Sequence, residues 1–518
     1  MPRAVPALLA PLRYADFRRL WLGTMISHAG DWMDTVALSW LVLAVAGTPV
    51  ALGWLALARG GPILLFTLVG GAVADRVDRR RLVVATQVAG FVLALVLGTL
   101  AVAGWTPLWL VLTVAAGRGV AMSFNIPARQ SLVPALVPRE ALAPAIALNS
   151  ATFNTMRAIG PAAGGLLLAA AGPGVAFLAN AASYVPAIAA TLAIRTSGRV
   201  AAGPVPGRSL AAEIAQGLVH VARTPALRAP LALVLLPMVL GQPYISLLAV
   251  FARDVLEAGP AGYGFLVAAS ALGSIVGALY VGHRADAPRD LWQVRAILLH
   301  AVSLVLFAAS GVYALSLVLV VLVGATSTAA IALAVTRLQE SADDAMRGRV
   351  MSVFFLNRGL VPLGTMVGAA GAAAVGAPLA LAAMGVLMGA LVLPVRRAAG
   401  PGVRDEGEDG HEEGGGEDQT GRKVAVEDRL EHPGEEAAIV DGLAGQTAEV
   451  VLDVGERADP TEGGHGHRVG QRGQVESAQP RPAPGDEGAE GDEDEERGVR
   501  HERQVGEHRV EGRHREGS

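Results

Sequence analysis

The sequence predicts an all-α membrane protein, with twelve transmembrane helices in two six-helix pseudo-symmetric bundles and a disordered acidic C-terminal tail. Three observations lead there. The chain of 518 residues is 52% hydrophobic with a mean hydropathy of +0.44, too apolar for a water-soluble protein of this length. Apolar segments long enough to cross about 30 Å of hydrocarbon, at about 1.5 Å per residue, recur as far as Arg397. The connections between them alternate between arginine-rich and uncharged, as the positive-inside bias imposes on short loops.

In chain order, the first six spans fall near 20–46, 50–74, 82–103, 108–126, 143–170 and 174–194. A second six fall near 229–251, 261–282, 294–313, 315–335, 349–375 and 377–395. Arg13, Arg18 and Arg19 precede the first span, which has no small-residue cleavage site and outruns a signal peptide, so it reads as retained. The basic connections are Arg76 to Arg81, Arg129 with Arg139, Arg195 to Arg228, Arg284 to Arg295, Arg337 to Arg349, and finally Arg396 with Arg397. Those between them, such as Gly47-Thr-Pro49, Gly104-Trp-Thr-Pro107, Gly172-Pro-Gly174 and Gly376-Ala-Pro378, carry no charge. Only Arg253, Asp254 and Glu257 break the alternation, with nearly cancelling charge. This phase puts both termini in the cytoplasm and the chain in the inner membrane, with the lipid bilayer as its constant partner.

The connection over 195–228 is the longest and divides the chain into bundles at 1–194 and 229–397, an arrangement that suggests internal repeats. Arg157-Ala-Ile-Gly-Pro161 and Arg358-Gly-Leu-Val-Pro362 lie six spans apart and are the one trace of a repeat. Charge separates the tail from the rest: residues 1–400 carry a net +14, residues 401–518 a net −18, which recovers the −4 of the whole chain. The segment 398–518 holds no Phe, Trp, Tyr or Met, so it cannot build a core and is expected to be disordered. It is either an acidic cytoplasmic appendage able to meet basic loops or filler with no role.

The chain has no cysteine, which excludes disulfides, thiolate metal sites and cysteine nucleophiles. It also has no Gly-x-x-x-x-Gly-Lys-[Ser/Thr] loop, so ATP-driven pumping is not expected, and no soluble segment of enzymatic size. No enzyme activity, cofactor, metal or nucleic-acid partner is expected. Ionisable groups do lie inside the spans: His28, Asp31, Asp34, Arg59, Arg118, Arg157 and Arg358, with Asn154 beside them. Such groups are costly in hydrocarbon, so each should face the bundle interior. Asp31 and Asp34 are three residues apart on one helical face, and His28 continues that face one turn earlier. A carboxylate held away from water there is a candidate proton carrier; alternatively the two acids form fixed ion pairs with Arg118 or Arg157.

Gly71-Ala-Val-Ala-Asp75-Arg76-Val-Asp78-Arg79-Arg80-Arg81 is a knot of charge between two apolar runs. It resembles the loop between helices 2 and 3 of the major facilitator superfamily of secondary transporters, with Asp78 where that pattern usually has glycine. Gly160-Pro161-Ala-Ala-Gly164-Gly165 in span 5 resembles the Gly-Pro-x-x-Gly-Gly element of the proton-driven antiporters in the same superfamily. Its physical content is close helix packing with a proline bend. Pro127 to Pro134, Ala147 to Ala151 and Arg347-Gly-Arg349-Val-Met-Ser352 are similar to segments of the twelve-span drug/proton antiporter branch, which includes enterobactin exporters and macrolide efflux proteins.

The resemblance covers about residues 10–397 and implies a monomeric exporter that exchanges protons for an amphipathic drug, macrolide or siderophore. It implies that Asp31, Asp34, Arg118 and Arg157 are the proton-coupling candidates. It also implies a conformational latch in which Asp75, with Gly71, Arg76, Arg79 and Arg80, meets the start of span 11 near Arg347 and Arg349. Trp32, Trp40, Trp54, Tyr244, Phe251 and Phe354 are the aromatics expected to line the substrate cavity. A receptor, a lipid-handling protein or an uptake transporter on the same fold is the alternative.

Overall fold

The computed structural model describes residues 7–196, 210–283 and 289–399, and the acidic tail lies outside them from residue 400 onward. Among the described residues the regular structure is wholly helical. The helices are α1 (Ala15–Ala46), α2 (Val50–Ala74), α3 (Arg79–Val102), α4 (Leu108–Leu132) and α5 (Leu142–Leu192). After the central connection come α6 (Leu210–Arg223), α7 (Pro225–Leu236), α8 (Tyr244–Val250), α9 (Gly259–His283) and α10 (Arg289–Ala308). The last are α11 (Tyr313–Ser341), α12 (Asp344–Arg358), α13 (Val361–Val375) and α14 (Ala377–Ala398). Ten helical stretches among the described residues are long and apolar enough to cross a membrane.

The uncharged connections work through paired glycine and proline. Gly47, Gly104, Gly172 and Gly376 all have positive φ, between 64° and 88°, a region closed to most side chains. A proline follows each within three residues and either opens the next helix or stands at its N-cap. Gly47 ends α1 with its N–H on the Leu43 carbonyl, 3.1 Å away. Gly172, at φ 78° and ψ 175°, breaks α5 where the sequence predicts the turn between spans 5 and 6.

Two predicted spans differ in detail. The span expected over 349–375 is two helices, α12 and α13, interrupted at Gly359 and Leu360, just before Pro362. Pro362 lacks an N–H and its ring clashes with the preceding turn, so it sits most favourably in the first turn of a new helix, as it does in α13. The span near 229–251 is α7 and α8 joined and extended by π-helical turns at Pro237–Gly241 and Phe251–Val255. Helix α6 lies inside the 195–228 connection and packs on α12.

α5 is the central strut of the first half, packed on α1 and α3, while α2 packs on α4. In the second half α11 packs on α9 and α10, and α14 on α10. The halves meet where α5 lies on α9 and α2 lies on α13. Close approach at these seams needs glycine. A Cβ at Gly165 would stand 2.8 Å from Gly264 Cα, and one at Gly53 would stand 2.7 Å from Met366 Sδ. Both contacts lie toward the end of the molecule that carries Gly47.

At the opposite end the charged loop is stapled within its own half. Asp78 stands at the N-cap of α3 and accepts from the Arg81 N–H at 3.2 Å, which gives the acid a task where the motif usually has glycine. Arg80 donates to the carbonyls of Ile194 (2.7 Å) and Leu192 (2.9 Å) at the C-terminus of α5, and Arg79 to the Ser131 carbonyl (3.0 Å) at the end of α4. Guanidinium groups on C-terminal carbonyls oppose the negative pole of those helices. Asp16 ties the start of α1 to the same place, accepting from the Arg195 and Thr196 N–H groups at 3.0 and 2.9 Å.

Candidate functional site

Halfway along α1 the helix turns a polar face toward α2 and α4. Arg118 of α4 reaches both acids on it, lying 3.3 Å from Asp31 Oδ1 and in direct ion contact with Asp34 Oδ2. The Tyr184 hydroxyl, from the second segment of α5, donates to Asp31 Oδ1 at 2.7 Å. Arg59 of α2 donates to Thr35 Oγ1 at 3.1 Å and lies within electrostatic reach of both carboxylates. The spacing of Asp31 and Asp34 on one face is what lets a single guanidinium serve both.

The two acids are not equivalent. Asp34 is sealed, with 1% of its side chain exposed, while Asp31 retains 21%. Gly30 permits this placement, since a Cβ there would collide with Ser183 and Asn180. The missing side chain brings the Tyr184 segment close enough to reach Asp31.

One turn earlier, Arg129 donates to His28 Nε2 at 2.6 Å. A guanidinium has no acceptor, so the neutral imidazole accepts at Nε2 and carries its proton on Nδ1. That Nδ1 is 4.0 Å from Asp31 Oδ2. Arg129 thus belongs to helix α4 and to this polar core, not to a loop. A line of polar groups runs from Arg129 through His28 and Asp31 to Arg118 and Asp34.

Arg157 does not join the acids. Its guanidinium crosses to the other half and donates to Ser274 Oγ of α9 at 3.2 Å. Phe153, one turn before it, meets the His28 ring at 5.5 Å and the Trp32 ring at 6.0 Å. The Gly160-Pro161-x-x-Gly164-Gly165 element divides its work between two neighbours. Gly160 and Gly164 take the backbone and Trp32 side chain of α1, where added Cβ atoms would stand 2.6 Å from Trp32 Cβ and Met33 Cα; Gly165 and the Pro161 carbonyl take Gly264 of α9.

The latch residues stand apart in this conformation. Asp75 is 70% exposed, and its ion pair is with Arg79, one turn on, at 3.8 Å. Gly71, one turn before it, faces open space. Arg76 is exposed, Arg347 donates to the Gln339 carbonyl at 3.1 Å, and Arg349 reaches Met346 Sδ at 2.8 Å. Asp75 forms no ion pair with Arg347 or Arg349.

The aromatic expectations divide. Trp32 borders the polar core and Trp40 stacks on Tyr263, with centroids 6.2 Å apart. Tyr244, Phe251 and Phe354 are buried in the interior, while Trp54 is 53% exposed. Tyr184 and Arg129 are members of the polar core that the sequence does not place there. Tyr184 carries no signal beyond helical spacing, whereas Arg129 follows Asn125 and Pro127, which read as the end of the span although α4 continues through them to Leu132.

A family model described as a transmembrane secretion effector matches residues 6–407. The chain is 28% identical over 348 residues to the staphyloferrin A transporter of Staphylococcus aureus, an alignment spanning 65% of this chain and 85% of that one. It is 30% identical over 346 residues to the multidrug efflux pump Tap of Mycolicibacterium fortuitum, spanning 64% and 82%. Among solved structures, a bacterial homologue of the human lysosomal transporter Spinster, inward-facing and unoccupied, superposes with a TM-score of 0.59 at 14% identity over 74% of this chain and 97% of that one.

Proposed function

The chain belongs to the transmembrane secretion effector family of major facilitator transporters, and from that premise we propose that it is a secondary exporter. It moves an amphipathic organic compound, of the drug or siderophore kind, out of the cytoplasm in exchange for protons. The observation that carries this reading is the sharing of Arg118 by Asp31 and Asp34 at mid-depth of the first half. Two carboxylates on one guanidinium form a switch: separating the helices releases a carboxylate that then takes up a proton, and closing them expels it.

The reading includes twelve passes with both termini in the cytoplasm. α5, at 51 residues, would be about 76 Å long if unbroken, more than twice the hydrocarbon thickness, so its break at Gly172 divides two passes. α12 and α13 together form one pass. The bundles are 1–194 and 229–397, working as a monomer. In the alternating-access cycle the closed seams lie on the Gly47 side and the exposed Asp75 on the cytoplasmic side, so the conformation is the one open to the cytoplasm. The latch forms when Asp75 swings to the N-terminus of α12 in the opposite state.

The experiment is reconstitution into proteoliposomes with a pH-sensitive dye and a panel of amphipathic compounds. Export predicts that an imposed proton gradient drives compound accumulation, and that adding compound moves protons the other way. Compound movement that ignores the gradient, or clear uptake coupled to inward proton flow, overturns the reading.

A further inference from the structure

The charges in the interior of the first half do not balance. Two acids, Asp31 and Asp34, stand against four arginines, Arg59, Arg118, Arg129 and Arg157, and the geometry at His28 leaves that ring neutral. Arg118 takes both acids. Among the described residues, no carboxylate lies within ion-pair distance of Arg59, Arg129 or Arg157. Their polar partners are a threonine hydroxyl, an imidazole and a serine hydroxyl. Surplus positive charge in a low-dielectric interior attracts an anion, and guanidinium groups suit a carboxylate or similar planar oxyanion.

Phe153, Arg157, Gly160, Pro161 and Gly164 recur at three- and four-residue intervals, so they share one face of α5. That face is buried against α1 and α9 at Gly160, Pro161 and Gly164, yet Phe153, two turns nearer the Asp75 end, is 39% exposed. The same face therefore passes from a closed seam to a stretch that is not sealed. Arg157 stands at the transition, touching α9, while Phe153 packs on Trp32 and on the His28 ring that Arg129 holds.

We propose that this cluster of Trp32, Phe153, Arg129 and Arg157 binds an amphipathic organic anion: the arginines take the acidic group and the aromatic rings take the apolar body. This rests on the export reading and narrows it to organic acids, setting basic amines aside. Moving an anion out and a proton in both carry positive charge inward, so an inside-negative membrane potential assists each half of the exchange.

The test is equilibrium binding to the full chain purified in detergent, using three fluorescent probes that share one ring system: 1-pyrenebutyrate, 1-pyrenebutanol and 1-pyrenebutylamine. The expected result is binding of the butyrate about tenfold or more tighter than the amine. Arg157→Gln and Arg129→Gln should each weaken the butyrate about tenfold, while Arg157→Lys largely retains it. The ranking of the three probes on the unaltered protein decides the matter even if a variant fails to fold. Equal or tighter binding of the alcohol or amine overturns the proposal, as does undiminished anion preference in both folded Gln variants. Binding needs no gradient, so proteoliposomes that show no driven movement would sink the export reading while leaving the anion site standing. Driven export with an amine preference would sink the anion site alone.

Discussion

Arg253 donates to the backbone carbonyl of Leu43 at 2.8 Å, a bond between residues 210 positions apart that joins the two halves. Leu43 lies in the last turn of α1, where the helix presents its negative pole, so a guanidinium there is favoured. Asp254 orients Arg253 by accepting from it at 2.5 and 3.0 Å. The Trp40–Tyr263 stack spans the same seam. The charges that interrupt the uncharged connections thus close the Gly47 end. Arg253→Gln should loosen that closure. Spin labels at Thr48 and Ala258, on the two sides of the seam, should show a distance distribution that gains longer components. An unchanged distribution would mean that glycine packing alone holds the seam.

Asp75→Asn tests the opposite end. In this conformation the Asp75 side chain is 70% exposed and pairs with Arg79 on its own segment, so neutralising it should leave thermal stability unaltered. If Asp75 meets the N-terminus of α12 in the other state, the lost charge–dipole interaction of about 0.3–1 kcal/mol should slow transport roughly two- to fivefold. Transport at the unaltered rate would reduce Asp75 to a solubilising loop charge.

The seam between α5 and α9 has no room for a side chain. A Cβ at Gly165 would stand 2.8 Å from both Gly264 Cα and the Pro260 carbonyl. Gly165→Val should therefore push the halves apart, costing about 1–3 kcal/mol of closure energy and reducing transport strongly. Gly71→Ala is the control, because a Cβ there meets nothing in this conformation and the protein should fold normally. Normal transport by Gly165→Val would show that the seam can part without loss.

The apolar helices are legible because they rest on one-dimensional signals: apolar length, alternation of arginine, and glycine followed by proline at the uncharged turns. The site was only partly legible, because helical spacing says which residues share a face and not which neighbour that face meets. Spacing puts Asp31 and Asp34 on one face, and the cost of a charge inside a span offers Arg118 or Arg157 as their ion-pair partner without deciding between them; Arg118 is the one that pairs. Arg157 shares the same depth but lies on the face of α5 that looks across to Ser274. Arg79 and Arg80 read as latch residues, yet apart from the Arg79–Asp75 pair their partners are backbone carbonyls at the ends of α4 and α5, which no side-chain motif announces. Arg129 was counted with the loops because it lies close to the end of its helix.

Which acid carries the proton follows from access and partnering. A carrier must be reachable from water in at least one state and must hold a partner that can let it go. Asp34 is sealed in direct ion contact with Arg118, and removing that charge would leave the guanidinium short of its closest partner. Asp31 keeps 21% exposure, holds Arg118 more loosely at 3.3 Å, and has Tyr184 and His28 beside it. The line from Arg129 through His28 reaches Asp31 first and Asp34 only beyond Arg118. Asp31→Asn should therefore abolish accumulation of compound against its gradient and remove the dependence of transport on pH, while downhill exchange and binding survive. Asp34→Asn should instead lower thermal stability, by about 3–5 kcal/mol if Arg118 finds no new partner, and reduce all transport modes together. The measurements are gradient-driven uptake into inverted proteoliposomes, counterflow in the absence of a gradient, and thermal unfolding of each variant. Uphill transport that persists in Asp31→Asn and disappears only in Asp34→Asn would reverse the assignment. Persistence in the double variant would place the carrier outside this cluster.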